Sequence, residues 1–508
     1  MFLTDPSVQA YNQLSASDRK WIFPRIAMLD QAIARKLKSI VGEENLLLEK
    51  EDLLTYSYDA TNIWIHMPDA VVLPRTTSQV SSVMKLANEY KIPVTPRGGG
   101  TNVSGGSIPI KGGIVLCTTR MNRILSINKA TLVAEVEPGV VMQEFNQILA
   151  QEGLFYPPDP QSAAGCTVGG TVAENASGPY GLKYGVTKQY LLGLEVVLAN
   201  GDVARLGGIT IKNRMGYELT TLFAGSEGTL GIITRITVKL LPLPRAQRTM
   251  LAVFDSTETA GEAVSRIIGR GILPAKIEFV DNWFLRRMEE ITHLGLPVEA
   301  EALLLIQSDG DIESADREIQ QIITICRDIG AREARAAADE IEANKLWQGR
   351  RSAFSAVYSS APSVLSEDIT VPRDKLPDLI KRCNEIGKKH GFPIHMVGHA
   401  GDGNLHPAVL TDIRDKENFS RASRVIEEMI EAALELGGVL SGEHGIGLEK
   451  QRFMARAMDP VALRIMKEIK HLLDPNGILN PGKYWEDRGV DHHRGEEIQG
   501  NRTFSQGS

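Results

Sequence analysis

Cysteine is scarce in this chain, with 4 in 508 residues, at Cys117, Cys166, Cys326 and Cys383. No two are spaced as Cys-x-x-Cys, which argues against a cysteine-held iron–sulfur cluster or zinc site within the chain. Free, buried thiols in a reducing cytoplasm are the expectation. Long apolar runs are missing too. No stretch reaches the roughly 18 apolar residues of a membrane helix. The first residues, with Asp5 and Asp18 among polar neighbours, hold no apolar core of a secretory signal. Peripheral contact with a membrane stays open. Nor is there an excess of positive charge. Lys and Arg number 56 against 63 Asp and Glu, a net charge of −7, which argues against nucleic acid as a partner because phosphates call for a basic surface. Finally, no GxGxxG lies between a first strand and helix, so a Rossmann nicotinamide site is disfavoured.

What is present is an ordinary globular composition, 43% hydrophobic and 23% charged, at a length that implies several domains. Residues 15–41 read as an amphipathic helix within an N-terminal segment, 1–65, that packs on the next domain; docking on a partner or membrane is the alternative. From 66 to 245 strands and helices alternate: strands at Ala70–Leu73, Ile92–Thr95, Gly113–Thr118, Leu132–Val136 and Ile232–Leu240, helices at Ser78–Tyr90 and Met142–Glu152. Asn200-Gly201 between two strand-like runs signals a tight hairpin. Pro242 and Pro244 mark a boundary near 245. Residues 246–485 alternate again, with strands at Leu251–Phe254, Ala275–Val280 and Ala302–Gln307 and helices at Glu258–Gly269, Ser314–Ile329, Lys375–His390 and Arg421–Leu436, a pattern compatible with a ferredoxin-like sheet. The polar stretch 486–508 is expected to be a disordered tail. The fold class is therefore α+β.

Two glycine-rich loops stand out. The first is Pro96-Arg-Gly-Gly-Gly-Thr-Asn-Val-Ser-Gly-Gly-Ser-Ile-Pro109. Successive glycines let backbone N–H groups converge on an anion without Cβ interference. The second follows Tyr156-Pro-Pro-Asp-Pro160 and runs from Ala164 to Gly178, with Gly181 and Gly185 beyond it. Two such loops, about 60 residues apart around strand-rich sequence, fit an extended cofactor with a pyrophosphate centre.

Far downstream lies a split set of ligand-type residues: Gly398-His-Ala-Gly-Asp-Gly-Asn-Leu-His-Pro407 and Ser441-Gly-Glu-His-Gly-Ile-Gly447. On one helix His399 and His406 would sit two turns, about 10 Å, apart, too far to share an ion. With Ala400–Asn404 as a turn between strands 393–398 and 405–410, a hairpin brings them together. Glu443 and His444 are neighbours, and the flanking glycines bend the chain enough for both to address one centre. Two His and a carboxylate leave open positions on Zn²⁺ or Mn²⁺; hydrogen-bonded core histidines with a structural glutamate are the alternative.

Taken together, the first loop, Pro157-Pro-Asp-Pro160, Gly225-Ser-Glu-Gly-Thr-Leu-Gly231 and the two His motifs resemble the FAD-dependent 2-hydroxy-acid dehydrogenases. These are flavoproteins of the vanillyl-alcohol-oxidase-like superfamily that include glycolate oxidase flavoprotein subunits and D-lactate dehydrogenases. The resemblance spans roughly residues 45–484. It implies a two-subdomain FAD-binding domain and a C-terminal α+β substrate or cap domain with a ferredoxin-like sheet, whose last part returns to the FAD domain. It implies FAD held by Pro96, Arg97, Gly98, Gly99, Gly100, Thr101, Asn102, Gly105 and Gly106, with contacts from Pro158, Asp159, Gly169, Gly170, Asn175, Gly178, Gly185, Ile233 and Asn480. Thr101 stands where some relatives attach FAD through a His, so non-covalent FAD is expected. His399, His406 and Glu443 are implied as ligands of a divalent metal, Zn or Mn, and His444 as the base that takes the hydroxyl proton while hydride passes from C2 to flavin N5. Arg350, or its neighbour Arg351, is implied to fork onto the substrate carboxylate.

The substrate side departs from one branch. Relatives acting on 2-hydroxyglutarate carry an Asn two residues after the second His and a Lys before Asp-x-x-Val-Pro; here those places hold Ala408 and Ser366. Glycolate or D-lactate is favoured. An iron–sulfur subunit, an electron-transferring flavoprotein or a quinone is the implied electron acceptor, at a cytoplasmic location that allows contact with the inner face of the membrane, and a homodimer is compatible. A same-fold flavoenzyme for a larger alcohol, or an electron-transfer subunit without its own substrate, is the competing reading.

Overall fold

In the computed structural model, residues 29–61 and 63–485 are described. Of the helix expected over 15–41, the described residues show only α1 (Gln31–Val41); Leu29 and Asp30 are not helical, so the helix starts later than expected, and residues 15–28 and the 486–508 tail lie outside the described residues. α1 starts where Asp30 accepts from the Ala32 N–H (3.0 Å) and ends at Gly42, whose φ of +87° favours glycine.

The first sheet has the order β1-β2-β4-β3, from β1 (Leu46–Leu47), β2 (Ala70–Val72), β3 (Val94–Arg97) and β4 (Ile114–Cys117). β2, β4 and β3 run parallel, and β2 and β4 are buried along their whole length, as befits parallel strands covered on both faces. α2 (Thr77–Tyr90) crosses from β2 to β3 and packs Val80, Val83 and Met84 against Leu37 and Val41 of α1. β3 ends at Arg97 and delivers the chain straight into the first glycine loop.

The second sheet is antiparallel, in the order β5-β6-β10-β8-β9. Its strands are β5 (Ile124–Asn128), β6 (Val133–Val136), β8 (Leu191–Val197), β9 (Val203–Gly207) and β10 (Ile232–Lys239), while β7 (Leu154–Phe155) pairs with β11 (Leu241–Pro242). The expected Asn200-Gly201 hairpin joins β8 and β9, with Gly201 at φ +83°. α3 (Met142–Gln151) and α4 (Val168–Glu174) cover this sheet through Phe145, Leu149, Val168 and Val172. α4 begins inside the second glycine loop, where the Thr167 hydroxyl accepts from the Gly170 N–H (3.2 Å).

The third sheet has eight strands: β12 (Ala246–Phe254), β13 (Lys276–Asp281), β14 (Ala302–Gly310), β15 (Glu333–Ala336), β16 (Ser363–Ser366), β17 (Ile369–Thr370), β18 (His395–Gly398) and β19 (Asn404–Thr411). The order is β15-β12-β14-β13-β18-β19-β16, with β17 paired to β19. Its first half has the antiparallel order of a ferredoxin-like unit, fourth strand beside first, then third and second. β14 shows why it stands at the centre. Leu304 and Ile306 face α5 (Thr257–Gly269) and α7 (Ile312–Ile329), while Leu303 and Leu305 face α6 (Asn282–Thr292) and α8 (Glu340–Arg351). All four are 0% exposed, and each contributes about 1.5–3 kcal/mol of burial.

α9 (Leu376–His390) and α10 (Lys416–Glu435) pack on the outer strands. α11 (Pro460–Leu473) carries the chain back: Lys470 Nζ donates to the Thr229 and Leu479 carbonyls, each at 2.8 Å, and Leu479 bridges Val94 of β3. All four cysteines are buried and free. No described helix is long and apolar enough to cross a membrane.

Candidate active site

A cavity of about 850 Å³ opens where the three sheets meet. One wall is the two glycine loops. A Cβ on Gly99 would fall 2.1 Å from the Gly165 carbonyl oxygen, and one on Gly98 would fall 2.5 Å from Thr167 Oγ1. The loops thus approach each other as only glycine permits, leaving bare backbone beside the cavity. Arg97 pins the first loop: its Nη1 donates to the Tyr58 carbonyl (2.7 Å) and its guanidinium sits 5.6 Å from the Tyr56 ring centroid. Asn102 donates to Asp59 (2.8 Å) and accepts from the Ser107 hydroxyl (2.8 Å).

Not every residue expected at the cofactor lines the cavity. Pro96, Arg97, Gly98, Gly99, Gly100, Thr101, Asn102, Gly106, Gly169, Gly170 and Ile233 do. Gly105, Pro158, Asp159, Asn175, Gly178, Gly185 and Asn480 are not among its lining residues, and several have partners within the fold. Asp159 pairs with Lys276 (3.3 Å), and Gly178 lies against the Asp159 carbonyl. Asn175 ends α4 in the left-handed region (φ 52°) and accepts from the Lys188 N–H (2.9 Å). Asn480 Nδ2 donates to the carbonyls of Gly106 (2.9 Å) and Glu227 (2.7 Å), so it clamps the loop from outside.

The opposite wall carries the His motifs. β18 and β19 pair with Val397 opposite His406, and the turn between them places His399 beside it, ring centroids 5.3 Å apart. The hairpin closes tightly because Gly398 has no Cβ to meet the Asn404 carbonyl, which would lie 2.5 Å away. Glu443 Oε1 lies 3.0 Å from His399 Nε2, 3.5 Å from His406 Nε2 and 4.0 Å from His444 Nε2. His444 stacks on His406 at 4.9 Å with ring planes 7° apart. His406, Glu443 and His444 face the cavity; His399, 3% exposed, sits behind them.

Two carboxylates that sequence reasoning missed organise this wall. Asp368, just before β17, accepts from Asn404 Nδ2 (2.6 Å), Ser441 Oγ (2.6 Å) and the backbone N–H groups of Glu443 (2.9 Å) and His444 (2.8 Å). It ties the hairpin to the distant Glu-His loop. Burial opposes its charge, yet His444, Lys450 and His406 around it hold its pKa well below the ordinary carboxylate range. Glu278, on β13, accepts from His399 Nδ1 (2.7 Å) and pairs with Arg350 Nη2 (2.6 Å). Burial alone would raise its pKa, but His399 and Arg350 bring it below the usual value. The strand carries Lys276 and Asp281 as well, so Glu278 does not stand out in the sequence. A third acid, Glu227, accepts from the Ile446 (2.6 Å) and Gly447 (2.8 Å) N–H groups and so fastens the Glu-His loop to the glycine-loop side.

The electrostatics separate the histidines. Burial disfavours a charged His399, but Glu278 and Glu443 on either side raise its pKa well above the ordinary value. For His444 burial dominates and pushes the pKa down to about 4, against the opposing pull of Asp368. His444 is therefore neutral near pH 7, with a lone pair to offer. Arg350 is 2% exposed and lines the cavity from α8; with the Gln161 amide oxygen turned toward it, Gln161 accepts from Nη1 at 2.5 Å. Arg351 lines the same cavity.

The His399–His406–Glu443 group fits a cation on its donor set. One ligand atom from each lies within 4.8 Å of the others, and His406 Nδ1 and Glu443 Oε2 are buried without a hydrogen-bond partner. Asp368, His406 and His444 also cluster, but Asp368 is already occupied by four donors, which leaves the first group as the better site.

Bare glycine backbone across a cavity from a histidine–carboxylate cluster suits an oxidoreductase that holds an extended cofactor on the loops. The solved structures agree on the fold: a p-cresol methylhydroxylase superposes with TM-score 0.71 at 19% identity, covering 90% of this chain and 97% of that one. The 4-ethylphenol oxidase from Gulosibacter chungangensis gives TM-score 0.71 at 20% identity, over 94% and 99%. Residues 68–207 match the family model for an FAD binding domain, and residues 243–484 that for the C-terminal domain of FAD linked oxidases. A glycolate oxidase subunit GlcD from Bacillus subtilis is 44% identical over 456 residues, 90% of this chain and 97% of that protein. A D-lactate dehydrogenase from Anaerostipes hadrus is 34% identical, over 82% of this chain and 89% of that protein. The chain belongs to the FAD-linked oxidase family of the glycolate oxidase subunits and D-lactate dehydrogenases, and FAD is its cofactor.

Proposed function

We propose that this chain oxidises a small D-2-hydroxy acid, glycolate or D-lactate, to the 2-oxo acid and passes the electrons to a partner. The observation that carries the reading is the set of His406, Glu443 and His444 on one wall of a cavity whose other wall is the two glycine loops. FAD supplies the hydride acceptor, and a divalent cation, Zn or Mn, on His399, His406 and Glu443 supplies Lewis-acid polarisation. The chain's own residues do the rest. Arg350 orients the substrate carboxylate, with Arg351 as its neighbour at the same cavity. His444, neutral in its buried setting, takes the hydroxyl proton on a ring nitrogen. Backbone of residues 97–102 and 169–170 holds the cofactor non-covalently, since Thr101 offers no nucleophilic ring.

Substrate size follows from β16 and β19. Ser366 and Ala408 are register partners, and both line the cavity. Neither can neutralise a second carboxylate, which supports a monocarboxylate. The division into an FAD-binding part to about 245 and a substrate part from 246 to 485 is supported by β12 beginning at Ala246 with a new sheet. An iron–sulfur subunit or an electron-transferring flavoprotein as acceptor, in the cytoplasm or at the inner face of the membrane, fits a chain without cysteine clusters.

The test is anaerobic mixing of the purified protein with glycolate, D-lactate, L-lactate and D-2-hydroxyglutarate while flavin absorbance is followed. Glycolate or D-lactate should bleach the flavin and D-2-hydroxyglutarate should not. Chelation should stop the bleaching, and Mn²⁺ or Zn²⁺ should restore it. Bleaching that survives complete metal removal would refute the cation, and no bleaching by any of the four acids would refute the substrate class.

A further inference from the structure

We propose that Glu278 is a positioning residue that links the substrate-binding arginine to the metal ligands, by holding Arg350 and His399 on the two oxygens of one carboxylate. This rests on the roles proposed above for those two residues. Strand alternation sets the geometry. Ile277 and Phe279 of β13 face the core under α5 and α7, so Glu278 points to the other side, with Lys276 and Val280, toward α8. There Oε1 meets His399 Nδ1 at 2.7 Å and Oε2 meets Arg350 Nη2 at 2.6 Å. Glu278 is 0% exposed, His399 3% and Arg350 2%. All three are buried, so removing one member strands the charge of another.

Each contact has a consequence for the site. The Nδ1–H bond to Glu278 fixes the His399 ring with Nε2 toward Glu443, 3.0 Å away, which is the orientation a ligand needs. On the other side, Oε2 forms an ion pair with Nη2 of Arg350 without an aligned hydrogen bond, and Nε has no hydrogen-bond partner. With Gln161 on Nη1, Nε is what the guanidinium has left for a substrate carboxylate. A carboxylate arriving at Arg350 competes with Glu278 for its charge, and a cation on His399 Nε2 polarises the Nδ1–H and strengthens its bond to Glu278. Both events are therefore felt through the same carboxyl group, and their coupling is reciprocal.

Two variants of the full, FAD-loaded chain test this by equilibrium binding of Mn²⁺ and Zn²⁺ after chelator stripping. In Glu278→Gln the amide accepts on one side only, so metal binding should weaken about 10- to 100-fold and KM for glycolate should rise with FAD content unchanged. Arg350→Lys touches none of the proposed metal ligands, yet it should weaken metal binding about fivefold or more through Glu278. Wild-type metal affinity in Arg350→Lys overturns the link, whatever Glu278→Gln does and even if that variant fails to fold. Loss of metal in the Gln variant alone would reduce Glu278 to a partner of His399. A wild-type chain that binds neither metal sinks the ligand assignment and this link with it, whereas wild-type binding with unchanged variants sinks only the link.

Discussion

His444→Ala should leave a yellow protein whose flavin glycolate or D-lactate hardly reduces, with the rate of anaerobic bleaching down by roughly 10²- to 10⁴-fold. The expectation separates two functions of this residue. Its backbone N–H donates to Asp368 (2.8 Å) and helps shape the loop, and alanine keeps that bond. Its ring stacks on His406 and faces the cavity, and alanine removes only that. FAD content should therefore match the wild type, because the glycine loops lie on the other wall. Metal content should also hold, since His399, His406 and Glu443 remain. Stopped-flow reduction at saturating substrate reads the chemical step directly. A rate within about threefold of wild type would place the base elsewhere, because general-base removal costs far more than that.

Parts of this site were readable from the sequence because their physics is local. Gly398 and Gly403 flank a short turn, and the seven-residue spacing of His399 and His406 allows both to reach one place only across a hairpin. The glycine loops were equally plain, since close backbone approach demands glycine at the position itself. Glu278 and Asp368 were not readable. Their partners lie 121 and 76 residues away, at His399 and His444, and a lone acid carries no periodic signal. The side-chain partners of two residues expected at the cofactor were unreadable for a similar reason. Asn480 and Asn175 spend their side chains on carbonyls and a backbone N–H group far from them in sequence or outside their own loop.

The elements show the same division. Apolar spacing placed the helix of residues 416–435 from Arg421, but it begins at Lys416, where Asp415 accepts from the Asn418 N–H (3.0 Å). The first turn is polar, so the pattern was silent while the cap was not. β14 was expected to end at Gln307 and runs to Gly310. Its polar end is held by long-range partners: Asp309 takes Lys183 Nζ (2.5 Å) and Tyr184 Oη (2.8 Å) from more than a hundred residues upstream. Tertiary contacts of this kind override local propensity.

Gly99→Val should give a chain that purifies without FAD. The valine Cβ would start 2.1 Å from the Gly165 carbonyl oxygen and 3.2 Å from its carbon. Both are backbone atoms, so no side chain can rotate out of the way. The overlap can be relieved only if the Arg97–Gly106 loop and the Ala164–Gly170 loop part. The first is anchored by Arg97 to Tyr58 and by Asn480 to Gly106; the second is anchored by Thr167 at the start of α4. Separation therefore breaks anchors on at least one side and spoils the facing backbone that a pyrophosphate needs. Gly208→Ala is the matched control: its Cβ would meet nothing within 4 Å, and its backbone is not left-handed. That variant should keep full FAD occupancy and the wild-type rate of flavin reduction. The ratio of flavin to protein absorbance in the two purified variants decides the matter. Wild-type FAD content in Gly99→Val would mean that the loops are not the cofactor cradle. Equal loss in Gly208→Ala would mean that flavin retention reports general instability rather than the contact between the loops.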